Sequence, residues 1–284
     1  MIGVLNINKP KGITSSDVVV KIKKALNTKK VGHMGTLDPL ACGVLPICVG
    51  KATRLFDYFL KKQKTYIAQF KFGEETDTLD LEGKIVKTSN NIPTKEEVEK
   101  AIKTFLGTSK QLPPVFSSKK INGKKACDLA RKGQEVILKH CDIYLYEYKL
   151  IKQISNNTYE FEITCSAGTY IRCLARDLGE KLNSCATMVF LQRIKAGPFT
   201  LENSIDFKDI TKEKLEDKIL PLEEVLIDFE KLVISKQDFQ RLLNGLTLTI
   251  NKQENVNYAV MCDNKVIGIG QVLNNNLKLK TFLG

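Results

Sequence analysis

The sequence predicts an α/β (α+β) fold, because it alternates half-buried strands with capped helices. Over residues 64–72, Tyr66, Ala68 and Phe70 alternate with more polar positions, which is the period of two expected of a strand with one buried face. Thr94-x-x-Glu97 is a capping box in front of an apolar stripe, and it predicts a helix that ends near residue 107. With 284 residues and 43% hydrophobic content, the chain is long enough for one large domain with a small satellite, or for two domains.

The N-terminal elements follow from local signals. Residues 1–12 read as a short strand that ends in a Lys-Pro-Lys-Gly turn. Ser15 or Ser16 is then expected to cap a helix that runs to Leu26. Residues 32–43 contain three glycines and a proline, so they predict a shaped loop. Residues 73–83 are acidic and rich in turn-forming residues, and they are also predicted to be a loop.

The second half of the chain begins with two predicted strands, at about 142–151 and 158–166. A glycine turn then leads into a helix with its buried face between Ile171 and Leu182, and a strand-like segment follows at 188–199. Residues 206–218 are densely charged and predict an exposed helix or connection. A short helix at 239–243 and strands at 257–262, 265–271 and 277–282 predict a small β-rich module. We therefore expect domains at 1–222 and 223–284.

The charge balance favours a polyanionic partner. The formal net charge is +12, which suits RNA, DNA or an anionic membrane surface, although lysine-rich surfaces also serve solubility. Basic residues are mostly lysine, and the six arginines are Arg54, Arg131, Arg172, Arg176, Arg193 and Arg241. Arginine in a chain that otherwise uses lysine suggests positions where a planar, bidentate donor is needed.

The cysteines and histidines argue against a zinc enzyme. Eight cysteines occur without a C-x-x-C pair, and the chain has two histidines, so no zinc-ligand pattern forms. The N-terminus lacks the pattern of a secretory leader, and no apolar run approaches the length of a membrane span. These features predict a cytoplasmic protein with reduced thiols and no membrane association.

The loop at 32–43 contains the strongest candidate for chemistry, Asp38. Pro39 biases the backbone of Asp38 toward an extended geometry, and a carboxylate held on a glycine-rich loop is a candidate nucleophile or general acid-base. An isolated Asp-Pro with nearby glycines is more often a turn whose aspartate bonds its own backbone.

The wider motif is more specific than its parts. Gly32-His33-Met34-Gly35-Thr36-Leu37-Asp38-Pro39-Leu40-Ala41-Cys42-Gly43, continued to Arg54, resembles the catalytic loop of the TruB-type tRNA pseudouridine synthases. The segments Asn6-Ile7-Asn8-Lys9-Pro10-Lys11-Gly12, Lys64-Thr65-Tyr66 and Gly168-Thr169-Tyr170-Ile171-Arg172 resemble motifs of the same family, in the same order. Met34 and Gln192 depart from the usual pattern. The resemblance implies a mixed, largely antiparallel sheet flanked by helices, with a PUA-like RNA-binding module at the C-terminus.

The resemblance also implies a reaction and its catalytic residues. Pseudouridine forms when the N1–C1′ bond of a uridine breaks and the base rotates and rejoins the sugar through C5. Asp38 is the expected catalytic carboxylate, and Arg172 is its expected bidentate partner. Tyr66 is expected to stack on the flipped base. The family chemistry requires no metal and no organic cofactor.

Substrate contacts are assigned by the same motif matches. Tyr170 is expected near the carboxylate or sugar, Leu191 in the uracil pocket, and His33 on an RNA nucleotide displaced by flipping. Lys9 of the N-terminal motif is likewise assigned to substrate binding.

An inserted basic segment points to a stand-alone enzyme. Residues from about 112 to 140, and 121–133 in particular, resemble the RNA-gripping insertion of the bacterial enzymes, with Lys119, Lys120 and Arg131 as candidate RNA contacts. The resemblance implies a monomer that acts on the T-arm stem-loop of tRNA, at the uridine termed position 55, without an obligatory protein partner. A plain surface loop is the alternative.

Other function classes stay open on the sequence alone. A glycoside hydrolase would pair Asp38 with a second carboxylate such as Glu74, Glu75, Asp77 or Asp80. A guide-dependent pseudouridine synthase subunit shares the catalytic loop, and a non-catalytic RNA-binding or RNA-folding protein would keep the scaffold without turnover.

Overall fold

The computed structural model describes residues 1–117, 120, 121, 123–126, 129, 132, 134 and 136–284. The chain divides into two compact units. The first contains Met1–Pro39, Leu45–Leu60 and Pro198–Gly284, and the second contains Leu40–Val44 and Lys61–Gly197. The predicted boundary between residues 222 and 223 stays a prediction. Within the described part of the chain, no helix is both long and apolar enough to cross a membrane.

The first unit combines short strands with short helices. Its strands outside the C-terminal module are β1 (Gly3–Lys9), β2 (Val31–His33), β3 (Cys42–Val49, of which 45–49 belong to this unit), β13 (Phe199–Thr200) and β14 (Ile205–Asp206). Its helices there are α1 (Ser15–Ala25), α2 (Phe56–Leu60), α5 (Lys212–Lys218) and α6 (Leu222–Val225), with 3-10 helices at Gly50–Leu55 and Phe207–Asp209. Strand β1 lies between β14, which is parallel to it, and β3, while β2 pairs antiparallel with β3.

The second unit is built on a largely antiparallel sheet. Its elements are β4 (Lys64–Phe72), β5 (Glu74–Thr76), β6 (Ile85–Thr88), α3 (Lys95–Lys103), β7 (Gly107–Gln111), β8 (Lys120–Ile121), β9 (Lys124–Lys125), β10 (Cys141–Ser155), β11 (Thr158–Cys165), α4 (Ile171–Lys181) and β12 (Ala186–Ala196). In space the order is β3-β12-β4-β11-β10-β7. Residues 42–43 of β3 run parallel to β12, whereas the β12–β4, β4–β11, β11–β10 and β10–β7 pairs are antiparallel.

Two helices cover one face of this sheet through an aromatic core. Helix α3 packs against β10, and α4 packs against β12 and β4. The ring of Tyr148 meets Phe161 edge-on at a centroid distance of 5.4 Å and meets Phe105, just after α3, at 6.1 Å. The α+β class with a mostly antiparallel sheet flanked by helices is therefore confirmed.

Local sequence signals gave some boundaries correctly and others wrongly. Strand β4 and the Thr94 capping box are as predicted. Helix α1 is capped by Thr14, not by Ser15 or Ser16, because the extended Thr14 accepts from the Asp17 amide while the Asp17 carboxylate accepts from Thr14. Helix α3 ends at Lys103, before Gly107, which begins β7. The predicted loop at 73–83 contains strand β5, which pairs with β6 in a hairpin.

Residues 230–282 form a separate five-stranded sheet within the first unit. Its strands are β15 (Glu230–Val233), β16 (Leu248–Thr249), β17 (Asn257–Cys262), β18 (Lys265–Leu273) and β19 (Asn276–Phe282), and its helix is α7 (Lys236–Leu243). The order is β15-β17-β18-β19-β16, and Tyr258, Val260 and Leu277 lie at the centre of its apolar core. A β-rich module was expected here, and β15 and β16 were not among the predicted strands.

Candidate functional site

Asp38 stands on a loop whose backbone is held immediately before it. The Leu37 amide donates to the Ser15 hydroxyl at 2.9 Å, and that hydroxyl donates to the Leu37 carbonyl at 3.0 Å. Ser15 is 2% exposed, so these bonds are shielded from water. The sequence predicts Ser15 or Ser16 as the helix cap; Ser15 instead makes this tertiary contact with the loop.

The loop is also held immediately after Asp38. The Pro39 carbonyl accepts from the Gly12 amide at 2.8 Å and from the Lys9 ammonium at 3.4 Å. Lys9 is fully buried, and its ammonium also donates to the carbonyls of Pro10 and Ile13. A buried ammonium needs such partners to offset its lost hydration. Lys9 thus positions the Asp38 loop, and its predicted contact with substrate stays a prediction.

His33 lies at the end of β2, where the loop begins. It pairs with Ile47 of β3 and is half-buried, and the next amide, that of Met34, donates to the Pro46 carbonyl at 2.8 Å. Met34 is 2% exposed, so the residue that departs from the family pattern fills core space. Asp38, a half-buried residue, lies five positions after His33.

In the second unit, Tyr66 and Leu191 share one face of the sheet. On the β4–β12 ladder Tyr66 lies opposite Arg193, and Ala68 lies opposite Leu191. Directly opposed residues project to the same face of an antiparallel pair, and so do residues two apart on a strand. The Cys42 thiol lies 3.7 Å from the Leu191 carbonyl, which fixes this part of β12 to the start of β3.

Two buried cations adjoin Tyr66. Arg193 is 1% exposed, and its Nε donates to the Val44 carbonyl at 2.7 Å. Lys64, two residues before Tyr66, is 6% exposed and donates to the Lys62 carbonyl. Burial first, and the charge of Arg193 second, lower the pKa of Lys64 to about 8.

Arg172 is the centre of a buried polar network in the second unit. Its Nη1 donates to Asp80 Oδ2 at 3.1 Å and to the Thr78 carbonyl at 2.9 Å, while Nη2 donates to the Phe116 carbonyl at 3.1 Å. The Arg172 and Asp80 side chains are 6% and 7% exposed. Removing one partner of such a pair leaves the other charge buried without compensation. The pairing of Arg172 with Asp38 stays a prediction.

Asp80 is held as firmly as the arginine it contacts. Its Oδ1 accepts from the Thr78 hydroxyl at 2.7 Å and from the Glu82 amide at 3.1 Å. The preceding residue, Leu79, has a φ of 63°, a conformation that bulky residues seldom adopt. From the sequence, Asp80 is one of several carboxylates in a predicted loop, because no spacing signal links it to an arginine 92 positions later.

The remaining predicted contacts fall partly outside the described residues. Tyr170 directly precedes α4, with an extended φ of −97° and ψ of 108°. Lys119 and Arg131 lie outside the described residues, and the side chain of Lys120 does as well. Within the described ranges, no group of three or more His, Cys, Asp or Glu side chains is arranged to hold a metal ion.

Comparisons with known proteins match the chain over most of its length. The model described as "TruB family pseudouridylate synthase (N terminal domain)" matches residues 23–171, and "tRNA pseudouridylate synthase B C-terminal domain" matches residues 172–233. The chain is 42% identical over 292 residues to "tRNA pseudouridine synthase B" of Clostridium novyi (strain NT), with 100% of both chains covered. The same name belongs to a relative from Clostridium perfringens (strain ATCC 13124), 42% identical over 291 residues, with 100% of this chain and 99% of that relative covered.

A solved structure shares the fold. It is described as "Structure of H/ACA RNP bound to a substrate RNA containing 2'-deoxyuridine". The TM-score is 0.75 at 23% identity, over 99% of this chain and 85% of the other. At this identity the likeness establishes the architecture alone.

Proposed function

Because this chain belongs to the TruB family of pseudouridylate synthases, we propose that it isomerises the uridine at position 55, in the T-arm of tRNA, to pseudouridine. The N1–C1′ bond breaks, the base rotates, and a C5–C1′ bond forms in its place. The hydrogen on C5 leaves as a proton and N1 takes up a proton, so substrate and product are isomers. The tRNA named in its relatives' descriptions and the net charge of +12 support an RNA substrate.

Asp38 is the carboxylate that carries this chemistry, either as nucleophile or as base. The observation that supports it most directly is the double anchoring of its loop, by Ser15 before it and by Lys9 and Gly12 after it. A reacting group must be held close to its productive geometry, and bonds on both sides of one residue achieve this.

The family motifs support a division of labour among the other residues. Tyr66 stacks on the flipped base, and Arg172 orients the Asp38 carboxylate through its planar donor pair. Leu191, on the same sheet face as Tyr66, lines the uracil pocket. Tyr170 contacts the carboxylate or the sugar. The reaction proceeds without metal or organic cofactor.

RNA contacts around the base complete the proposed site. His33 packs on a nucleotide displaced by flipping, and the buried Lys9 contributes to substrate binding through the Asp38 loop that it holds. Lys119, Lys120 and Arg131 contact the backbone of the T-arm stem-loop, since lysine and arginine bind phosphates by charge. We infer that the basic insertion at about 112–140, which contains these three residues, lets the protein act alone. It then works in the cytoplasm as a monomer, without guide RNA or obligatory protein partner.

An isolated T-arm stem-loop tests the proposal. The purified protein should convert one uridine per stem-loop, at position 55, detected by the pseudouridine-specific carbodiimide adduct. The control is the same RNA with cytidine at that position. Conversion that requires an added guide RNA would favour a guide-dependent enzyme, and binding without conversion would favour an RNA-folding protein.

A further inference from the structure

The end of strand β7 is tied to the start of helix α4 by one side chain, that of Gln111. The Tyr170 amide donates to Gln111 Oε1 at 2.8 Å, and Gln111 Nε2 donates to the Tyr170 carbonyl at 3.1 Å. The two residues are 59 positions apart in sequence, and Gln111 is 2% exposed. The side-chain amide therefore presents to Tyr170 the donor and acceptor that a neighbouring strand would present.

This contact lies at the N-terminus of α4. Tyr170 is the N-terminal cap residue of the helix, with an extended backbone, and its own side chain makes no capping hydrogen bond. The first amides of a helix have no partner within the helix and depend on groups from elsewhere. Gln111 supplies such a group. Arg172 is in the first turn, so its backbone follows directly from that of Tyr170.

The chain that leaves Gln111 returns to the same helix. We call residues 112–117 the proline segment, since it contains Pro113 and Pro114. The Leu112 carbonyl accepts from Arg176 Nη2 at 3.2 Å, and the Phe116 carbonyl accepts from Arg172 Nη2 at 3.1 Å. Both ends of the proline segment are thus bonded to α4, and Gln111 is the first of these attachments along the chain.

We propose that Gln111 is a positioning residue for pseudouridine formation, an inference that rests on the proposed function. Its amide fixes the backbone of Tyr170 and, through the first turn of α4, the orientation of Arg172 toward the Asp80 carboxylate. It acts through these residues and does not itself touch the RNA. Loss of the amide displaces groups that must be aligned in the transition state, while the surfaces that bind RNA stay intact.

The substitution Gln111→Met tests this, because methionine matches glutamine in length and removes both hydrogen-bonding groups. We expect the single-turnover rate at saturating T-arm RNA to fall about tenfold or more, with the Kd for RNA changed less than about twofold. Gln111→Asn keeps the amide but is too short to reach, and it should be as slow. The matched control is Gln69→Met in β4. Among the described contacts, the Gln69 amide bonds only the side chain of the half-buried Glu160. The single-turnover rate of this control variant should be near that of wild type.

Amide exchange in the wild-type protein provides a test that does not depend on whether variants fold. The Tyr170 amide should exchange slowly, because Gln111 accepts its hydrogen in a buried setting, whereas a helix-cap amide exposed to water exchanges fast. Fast exchange at Tyr170 overturns the proposal. So does a Gln111→Met protein that is folded and as fast as wild type, or one that loses RNA affinity and keeps its saturated rate. A wild-type protein without activity on tRNA would instead refute the proposed function.

Discussion

Replacing Arg172 with lysine keeps the charge and removes the planar fork that the structure uses. Arg172 donates to Asp80 and the Thr78 carbonyl from one nitrogen and to the Phe116 carbonyl from the other. A lysine ammonium is a single point of charge and cannot reach all the partners that bond to the two separate nitrogens of the guanidinium fork. We expect the variant to keep the contact with Asp80 and to lose the contact with Phe116.

The expected fall in rate follows from the single hydrogen bond, to the Phe116 carbonyl, that the variant loses. One lost hydrogen bond between a charged donor and a buried carbonyl costs about 1.5–3 kcal/mol. If the whole cost falls on the transition state, the rate drops about ten- to a hundredfold. A fall in rate near a hundredfold is expected if Arg172 also pairs bidentately with Asp38, as proposed.

The assay is single-turnover release of tritium from T-arm RNA labelled at C5 of uridine, because forming the C5–C1′ bond expels that hydrogen. RNA should be saturating, and the Kd should be measured separately. The matched control is Arg241→Lys in α7, where the side chain is 53% exposed and the expected rate is that of wild type. A folded Arg172→Lys protein that reacts within about threefold of wild type would refute the reasoning.

Three further predictions concern stability and binding. Burial lowers the pKa of Lys64 from 10.5 to about 8, so between those pH values the unfolded chain holds a proton that the folded one lacks. Between about pH 8 and 10.5, the free energy of unfolding of the wild type should therefore rise relative to that of Lys64→Met. Denaturant titrations in which the two proteins show the same dependence on pH would contradict this. Gly43 has a φ of 100°, and a Cβ there would meet the Arg193 carbonyl; Gly245 has a φ of 80° and open space around it. Gly43→Ala should therefore lower Tm more than Gly245→Ala. Equal losses of Tm would show that the contact with Arg193 is unimportant. RNA affinity should fall linearly in log–log form with salt as phosphate contacts release counterions, and a flat dependence measured by fluorescence anisotropy would exclude such contacts.

The sequence predicted well what depends on near neighbours. The alternation from Lys64 to Phe72 reflects one buried sheet face, and the box at Thr94 satisfies amides within one turn. Both signals are contained in a few consecutive residues, so they survive without knowledge of the tertiary fold. Asp38 stood out for a related reason, because the glycines and proline that shape its loop are adjacent to it.

The sequence could not predict contacts made at long range. The Arg172–Asp80 pair joins residues 92 positions apart, and the Ser15 contact with the Asp38 loop spans 22. The prediction that Ser15 or Ser16 caps helix α1 is wrong because Thr14 fills that role, although a serine near a helix start is commonly a cap. The short strands β15 and β16 carry too few residues to show a period of two.

The central claim, that the Asp38 carboxylate performs the isomerisation, is tested most directly by Asp38→Asn. Asparagine matches aspartate in size and leaves the anchors at Leu37 and Pro39 in place, but its amide cannot act as nucleophile or base. Single-turnover tritium release and RNA affinity should be measured on the same preparation. We predict that release falls to less than about one per cent of wild type, at least a hundredfold, while the Kd for T-arm RNA is unchanged. Release above a few per cent of wild type from a protein that still binds RNA would contradict the account.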